Sequence, residues 1–266
     1  MVNDEPIDVH YQEAPWPIHL DWVGVRKLKI SVPLDLFEKN ECKDYIASID
    51  IFTDLPSNMR GSNLSRSVKV LMDELVLCRA PWSLLEKLTE RVLEVHEYSS
   101  KALVNLELPA VINDDNFVFR FSINRDRKGN THYIFNVSTT GITACPSALA
   151  VSLYRISQKI THMQRALIEV VITSNQRIPY VEILGLVKTV FSGNLKALLS
   201  RADESFLVEK VFENPLFTED LARKTLNFVS ERLKQIMPKD TCVKVKARSF
   251  ESIHNFDIQV VGDVCW

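Results

Sequence analysis

Two stretches of strict apolar–polar alternation lie back to back near the middle of this chain, and they constrain its fold more than any other feature. In Lys101–Leu108, Val104, Leu106 and Leu108 alternate with Asn105 and Glu107. In Phe117–Ile123, Phe117, Phe119, Phe121 and Ile123 alternate with Val118, Arg120 and Ser122. A period of two sends alternate side chains to opposite faces, so each segment reads as a strand with one buried face. Upstream, Val23–Val32 and the β-branched, aromatic run Tyr45–Leu55, closed by Pro56, read as two more strands. Between the pairs lie two helices. Val68, Leu71, Met72, Leu75 and Val76 recur at helical spacing, and Ser83 with Glu86 forms a capping box ahead of Leu85, Leu88, Val92 and Val95. The order is β-β-α-α-β-β.

That order returns in the second half. Tyr133, Phe135 and Val137 mark a strand, and a β-rich stretch His162–Thr173 follows an inserted segment, Pro146–Ile160. Val181–Val190 reads as a helix and Leu195–Phe212 as helical in part. Phe217–Ile236 carries a full apolar stripe, with Thr218 as its expected N-cap, Glu219 and Asp220 at the positive dipole end and Pro238 as its stop. Val243, Val245 and Ala247 alternate with Lys244, Lys246 and Arg248, and Ile258 and Val260 lie in a last strand. The predicted class is α+β: two ββααββ units with antiparallel sheets and helices on one face. An arm spans 1–20, a first module 21–126 and a second module 127–266. A sheet covered on one face, with open edges, favours an oligomer.

Composition excludes several functions. With 32 basic and 34 acidic side chains the net charge is −2, which argues against a nucleic-acid coat. No apolar run approaches the roughly 18 residues of a membrane span. The 7 glycines are too dispersed for a P-loop or a dinucleotide fingerprint. The 5 cysteines contain no C-x-x-C pair, and their odd number points to a reducing, cytoplasmic setting.

A few residues suit chemistry. Glu251 and His254 lie three apart in a connection between two strands, where a loop presents side chains freely. His162 opens a strand and Gln164 shares its face; Cys145 precedes Pro146. One thiol, two imidazoles and a carboxylate suit Zn²⁺ or Fe²⁺ with a position left for water. The same residues also read as a buried structural thiol and two loop histidines. Ser65, Arg66 and Ser67 open a helix and suit phosphate or simple capping, and Glu213 sits just before a proline-stiffened helix start. His96 reads as a helix-end cation.

Six blocks in order carry a family resemblance. They are Asp54-Leu-Pro with Arg60-Gly-Ser-Asn-Leu-Ser65-Arg66-Ser67, Gly141-Ile-Thr-Ala-Cys145-Pro146, Thr161-His162-Met-Gln164-Arg165, Arg201-Ala-Asp203-Glu204, Phe212-Glu213-Asn-Pro215 through Glu219-Asp220, and Glu251-Ser-Ile-His254-Asn. From Val23 onward the chain resembles the type IB GTP cyclohydrolases and their archaeal Fe(II)-dependent relatives of methanopterin synthesis, with Gly141–Ala148 and His96–Ala102 nearer the archaeal branch. The resemblance implies a bimodular tunnelling fold in a homo-oligomer, a tetramer, with sites at subunit interfaces and no nucleic-acid or membrane partner. It implies one divalent metal per site, Fe(II) first and Zn(II) or Mn(II) as alternatives, held by Cys145, His162, His254 and Glu251. Glu251, His162 and Cys145 would be catalytic; Glu213 would grip the guanine edge, with Ser65, Arg66, Gln164 and Arg165 on the rest of GTP. Formate would leave and a dihydroneopterin phosphate would form, the 2′,3′-cyclic phosphate in archaeal members and the triphosphate in bacterial ones. The family usually has histidine where Asn63 and Phe256 stand and often cysteine at Ser147, so a tunnelling-fold enzyme on another purine or pterin, or a non-catalytic binder of such rings, is the alternative.

Overall fold

The computed structural model describes residues 9–266; the first eight positions of the expected N-terminal arm lie outside the described residues. The strands are β1 (Leu20–Leu34), β2 (Lys43–Leu55), β3 (Lys101–Ile112), β4 (Asp115–Asp126), β5 (Thr131–Ala144), β6 (Met163–Ser174), β7 (Gly193–Asn194), β8 (Cys242–Ser249) and β9 (Ile258–Cys265). The helices are α1 (Leu64–Glu74), α2 (Pro81–Val95), α3 (Pro146–Ile156), α4 (Tyr180–Lys188), α5 (Arg201–Glu213) and α6 (Thr218–Lys234). Hydrogen-bonded neighbours follow the order β1-β2-β3-β4-β5-β6-β8-β9, with β7 on β5. The α+β, antiparallel class of the tunnelling fold is therefore present, and an extra helix occupies the inserted segment. The chain divides into two compact units, one of 1–108 with 121–133 and one of 109–120 with 134–266.

In the first unit, Ile49 and Ile51 of β2 and Val104 and Leu106 of β3 are buried by the period-two rule, and Leu85, Leu88 and Val92 of α2 are buried as well. Trp82 packs edge-on to Phe121 and Tyr133 at centroid distances of 5.0 and 5.4 Å. Three local expectations are corrected. Helix α2 starts at Pro81, with Ala80 at the N-cap position and no side-chain cap, because proline suits the first helical position and overrides the Ser83 box. The buried stripe of α1 is Ser67, Val70, Leu71 and Glu74, while Met72 and Val76 are exposed. Glu74 takes the inner face because Arg79 and Arg91 pair with it at 2.9 and 2.7 Å. His96 is not the cation at the end of α2. Arg127 fills that role, donating to the carbonyls of Leu93 and His96 at 2.8 Å each.

His96 is instead fully buried. Its Nε2 meets Ser67 Oγ and its Nδ1 meets Tyr98 Oη, both at 2.8 Å, and Ser62 Oγ meets the same phenol at 2.8 Å. Burial, helped by the charge of Arg66, lowers its pKa from 6.5 to about 4. Asp54 is also buried. Burial alone raises its carboxyl pKa, but the Ser100 hydroxyl and the Lys101 and Ser100 amides outweigh it and hold the carboxyl below its ordinary value.

The second unit is built on β5, β6, β8 and β9. The β6–β8 register pairs Ala166 with Ser249 and Val170 with Val245. Val243, Val245 and Ala247 are fully buried, as the alternation requires, under Leu221, Val229 and Leu233 of α6. Gly141 keeps β5 flush with the following segment: a Cβ there would lie 2.2 Å from the Phe191 ring. Helix α6 begins one residue beyond Phe217, whose N–H donates to Asp220 Oδ2 at 3.2 Å, so Thr218 is inside the helix and does not cap it. Four of the five thiols are paired, Cys42 with Cys78 and Cys242 with Cys265, leaving Cys145 free. The partners lie 36 and 23 residues apart, beyond what local spacing shows, and the pairing withdraws the cysteine count as an argument for a reducing compartment. Among the described residues no helix is long and apolar enough to cross a membrane.

Candidate metal and substrate site

The second unit brings the ends of β5, β6 and β8 to one cleft. Cys145 follows β5 and caps α3, its sulfur accepting from the Ala148 N–H at 3.4 Å, with Pro146 opening the helix. The chain leaves through α3 and returns: the Cys145 N–H donates to the His162 carbonyl at 3.2 Å, and the Thr161 hydroxyl donates to the Cys145 carbonyl at 2.7 Å. The insertion lengthens the chain between thiol and imidazole without separating them.

His162 sits immediately before β6. Its Nδ1 lies 3.1 Å from Gln164 Oε1 and 3.4 Å from Ser252 Oγ. With Gln164 Oε1 as the acceptor of this contact, Nδ1 is the proton-bearing nitrogen and Nε2 is the one that keeps a lone pair for a ligand. His254 lies in the exposed loop after β8, edge-on to His162 at 6.5 Å between centroids and stacked on Phe256 at 5.0 Å. The loop is pinned at its ends: Arg248 Nε donates to Asp257 at 2.9 Å, and the Phe250 N–H donates to the Arg165 carbonyl at 2.9 Å. Glu251 Oε1 accepts from the Ser249 hydroxyl at 2.6 Å. The Leu216 N–H donates to the Ala144 carbonyl at 3.1 Å, which brings the start of α6 alongside.

These side chains line a cleft of about 150 Å³. Its polar members are Cys145, His162, Gln164, Glu219, Glu251, His254 and Thr218, and its apolar wall is Leu216, Phe217, Phe256 and Ile258. A second hollow of about 490 Å³ shares Cys145, His162 and His254 and runs along α3. Among the described residues no three His, Cys, Asp or Glu side chains stand in a metal-holding arrangement. The donor set itself fits a borderline divalent ion: one unpaired thiol, an imidazole with Nε2 available, a second imidazole on a loop and a carboxylate.

Other expected site residues stand elsewhere. Glu213 is exposed at the end of α5 and does not line the cleft, and the Arg165 side chain is exposed outside it. Ser65 and Arg66 belong to α1 in the first unit. The Ser65 hydroxyl donates to Asn63 Oδ1 at 2.6 Å, and Arg66 donates to Tyr11 Oη at 3.0 Å and to the Val95 carbonyl at 3.2 Å. Arg66 lines a hollow of about 550 Å³ with Tyr11, Asn58, Met59, Glu97 and Tyr98. Leu216, Phe217, Thr218, Glu219 and Ile258 are cleft residues that sequence reasoning did not place at the site; Glu219 read only as a helix-start acid and Thr218 only as a cap.

A model of the type I GTP cyclohydrolase folE2 family matches residues 7–259. The chain belongs to that family. It is 29% identical over 259 residues to GTP cyclohydrolase FolE2 of Thermosipho melanesiensis, covering 93% of this chain and 94% of that one. It is 30% identical over 261 residues to FolE2 of Pseudothermotoga lettingae, covering 93% and 94%. It is 27% identical over 292 residues to GTP cyclohydrolase MptA of Methanococcus maripaludis, covering 94% and 92%. Bacterial and archaeal relatives thus match to nearly the same extent. Among solved structures, a uricase from Arthrobacter globiformis superposes with a TM-score of 0.50 at 8% identity, covering 92% of this chain and 93% of that one. A hyper-thermostable AgUricase mutant gives 0.54 at 9%, covering 93% and 92%. At such identity the likeness concerns the fold alone.

Proposed function

We propose that this member of the family opens the guanine imidazole ring of GTP, releases formate and forms a 7,8-dihydroneopterin phosphate. The observation that carries the reading is the convergence of Cys145, His162, His254 and Glu251, from three separate segments, on one cleft that also holds Glu219. Cys145, His162 and His254 would hold the divalent metal, Fe(II) by preference, with Glu251 as a further ligand or proton carrier. Bound there, such an ion lowers the pKa of water from about 15.7 toward 7 and so supplies a nucleophile at neutral pH.

The protein's own groups do the rest. Gln164 fixes the tautomer of His162 through Nδ1 and so determines which nitrogen faces a ligand. Glu251, in the cleft wall, carries protons as C8 is hydrated and the ring opens. Glu219, in the same cleft, would accept two N–H bonds from the guanine edge, with Glu213, to which the family resemblance gives that role, as the alternative, and Leu216, Phe217, Phe256 and Ile258 form the apolar wall beside it. Ser65, Arg66 and Arg165 serve the phosphates, with Ser65 and Arg66 offered by a neighbouring copy in a homo-oligomer, a tetramer. Two features support assembly: α3 buries none of its residues, and Tyr154 on it is 91% exposed. The modules behind this scheme are 21–126 and 127–266 after an arm of 1–20, in a cytoplasmic enzyme. The product, cyclic phosphate or triphosphate, is decided by mass. Anaerobic incubation with GTP and Fe²⁺ is expected to yield formate and a fluorescent dihydroneopterin species. Intact GTP after loading with Fe²⁺, Mn²⁺ and Zn²⁺ in turn would end this reading.

A further inference from the structure

Glu251 lies in a loop, 250–257, whose other members are all exposed. A carboxylate on such a loop samples many rotamers unless something holds it. Two hydroxyls do. Ser249, the last residue of β8, is fully buried, and Thr218, the first residue of α6, is 4% exposed. The Thr218 hydroxyl donates to Ser249 Oγ at 3.0 Å, and the Ser249 hydroxyl donates to Glu251 Oε1 at 2.6 Å. Each hydroxyl has one proton to give. Ser249 spends its proton on the carboxylate, and the proton from Thr218 occupies a lone pair of Ser249, so the direction of the chain is fixed. Both members are anchored in rigid elements. Ser249 pairs with Ala166 on β6, the strand that His162 precedes, and Thr218 is set by the packing of α6 on β8.

We propose that Thr218 and Ser249 are positioning residues that hold Glu251 by one oxygen and leave the other for the reaction. The linkage also ties the carboxylate to the strand pair that carries His162, so that both groups move as one frame. This inference rests on the proton-carrying role given to Glu251 above. The ordering cost of the loop carboxylate is met by the fold, before any substrate arrives.

Three variants separate alignment from packing. Thr218→Val keeps the branched shape and loses the proton; Thr218→Ser keeps the proton and loses the methyl group. Ser249→Ala removes the direct donor. With the protein loaded with Fe²⁺, Ser249→Ala is expected to lower kcat for formate release by about 10- to 100-fold and Thr218→Val by about 10-fold. Thr218→Ser is expected to stay near wild type, and KM for GTP and iron content are expected to hold within about twofold in all three. A packing role reverses the order, with Thr218→Ser falling and Thr218→Val standing, and that order overturns the proposal. Amide hydrogen exchange over 250–257, measured on the metal-free protein, gives a readout independent of turnover. Faster exchange in Ser249→Ala and Thr218→Val, but not in Thr218→Ser, supports the hydroxyl chain; unchanged exchange in all three overturns it. Absence of formate release from the wild type would remove the catalytic reading of the cleft, and the exchange result would still decide whether these hydroxyls hold the loop.

Discussion

His96 in the first unit and His162 in the second each meet two polar side chains, yet they are left in opposite conditions. Around His96 every ring nitrogen is taken: Ser67 holds one side and Tyr98 the other, and no part of the ring reaches solvent. Around His162, Gln164 and Ser252 both approach the same nitrogen, Nδ1, and the ring lines a cleft. One imidazole is saturated and kept neutral by burial; the other is oriented on one side and left with a lone pair on the other. Saturation marks a structural histidine, and one-sided satisfaction marks one that can bind something.

That contrast is best broken from the side of the cleft. Cys145→Ala is expected to lower formate release by about 10³-fold or more, the scale of several kcal/mol of lost Lewis-acid stabilisation, with little change in melting temperature. Equal turnover in Cys145→Ala and wild type, measured with matched iron loading, would contradict the contrast outright. Glu219→Gln is expected to raise KM for GTP by about 10- to 100-fold, since a hydrogen bond to a charged group contributes roughly 1.5–3 kcal/mol. Glu213→Gln, at a residue exposed outside the cleft, serves as its partner measurement and is expected to leave KM near wild type. The reverse order would return the guanine contact to Glu213.

The same contrast can be sharpened from the side of His96. His96→Ala leaves the buried Ser67 hydroxyl without its partner, at a cost of roughly 1–3 kcal/mol, and takes from the Tyr98 phenol one of its two partners, Ser62 remaining. Denaturant unfolding is expected to show that loss, while kcat of the folded fraction stays unchanged. The pH dependence follows from the lowered pKa, about 4 in the folded protein against 6.5 for the free side chain. Between those values the unfolded chain binds more protons than the folded one, so the contribution is full above 6.5 and is lost as pH falls toward 4. Unfolding free energies from pH 7 to pH 4 are expected to fall with a slope that His96→Asn flattens. An identical slope in His96→Asn would show that the imidazole is not held neutral.

The strands were legible because burial on one face writes itself into alternate residues, as Val243, Val245 and Ala247 show. The inner face of α1 was not, because a carboxylate occupies it: Glu74 is buried against two arginines, and no hydropathy stripe reveals a paired charge. The disulfide partners were invisible for want of any local spacing. In the cleft, the resemblance pointed to Cys145, His162, His254 and Glu251, since their blocks keep their order around an inserted helix. Glu219 stayed hidden because an acidic residue in the first turn of a helix satisfies the dipole whether or not it also faces a ligand. His96 was misread for the converse reason: its position at a helix end suggested a charge that burial removes.

The pairing of the other four cysteines makes a direct measurement possible, since Cys145 is the one free thiol. Metal-free protein titrated with Co²⁺ is expected to develop thiolate-to-metal absorption that saturates at one ion per chain, and Cys145→Ser is expected to abolish that absorption. A band that persists in Cys145→Ser, or wild-type protein that binds Co²⁺ with no such band, would contradict a metal held by Cys145 beside His162 and His254.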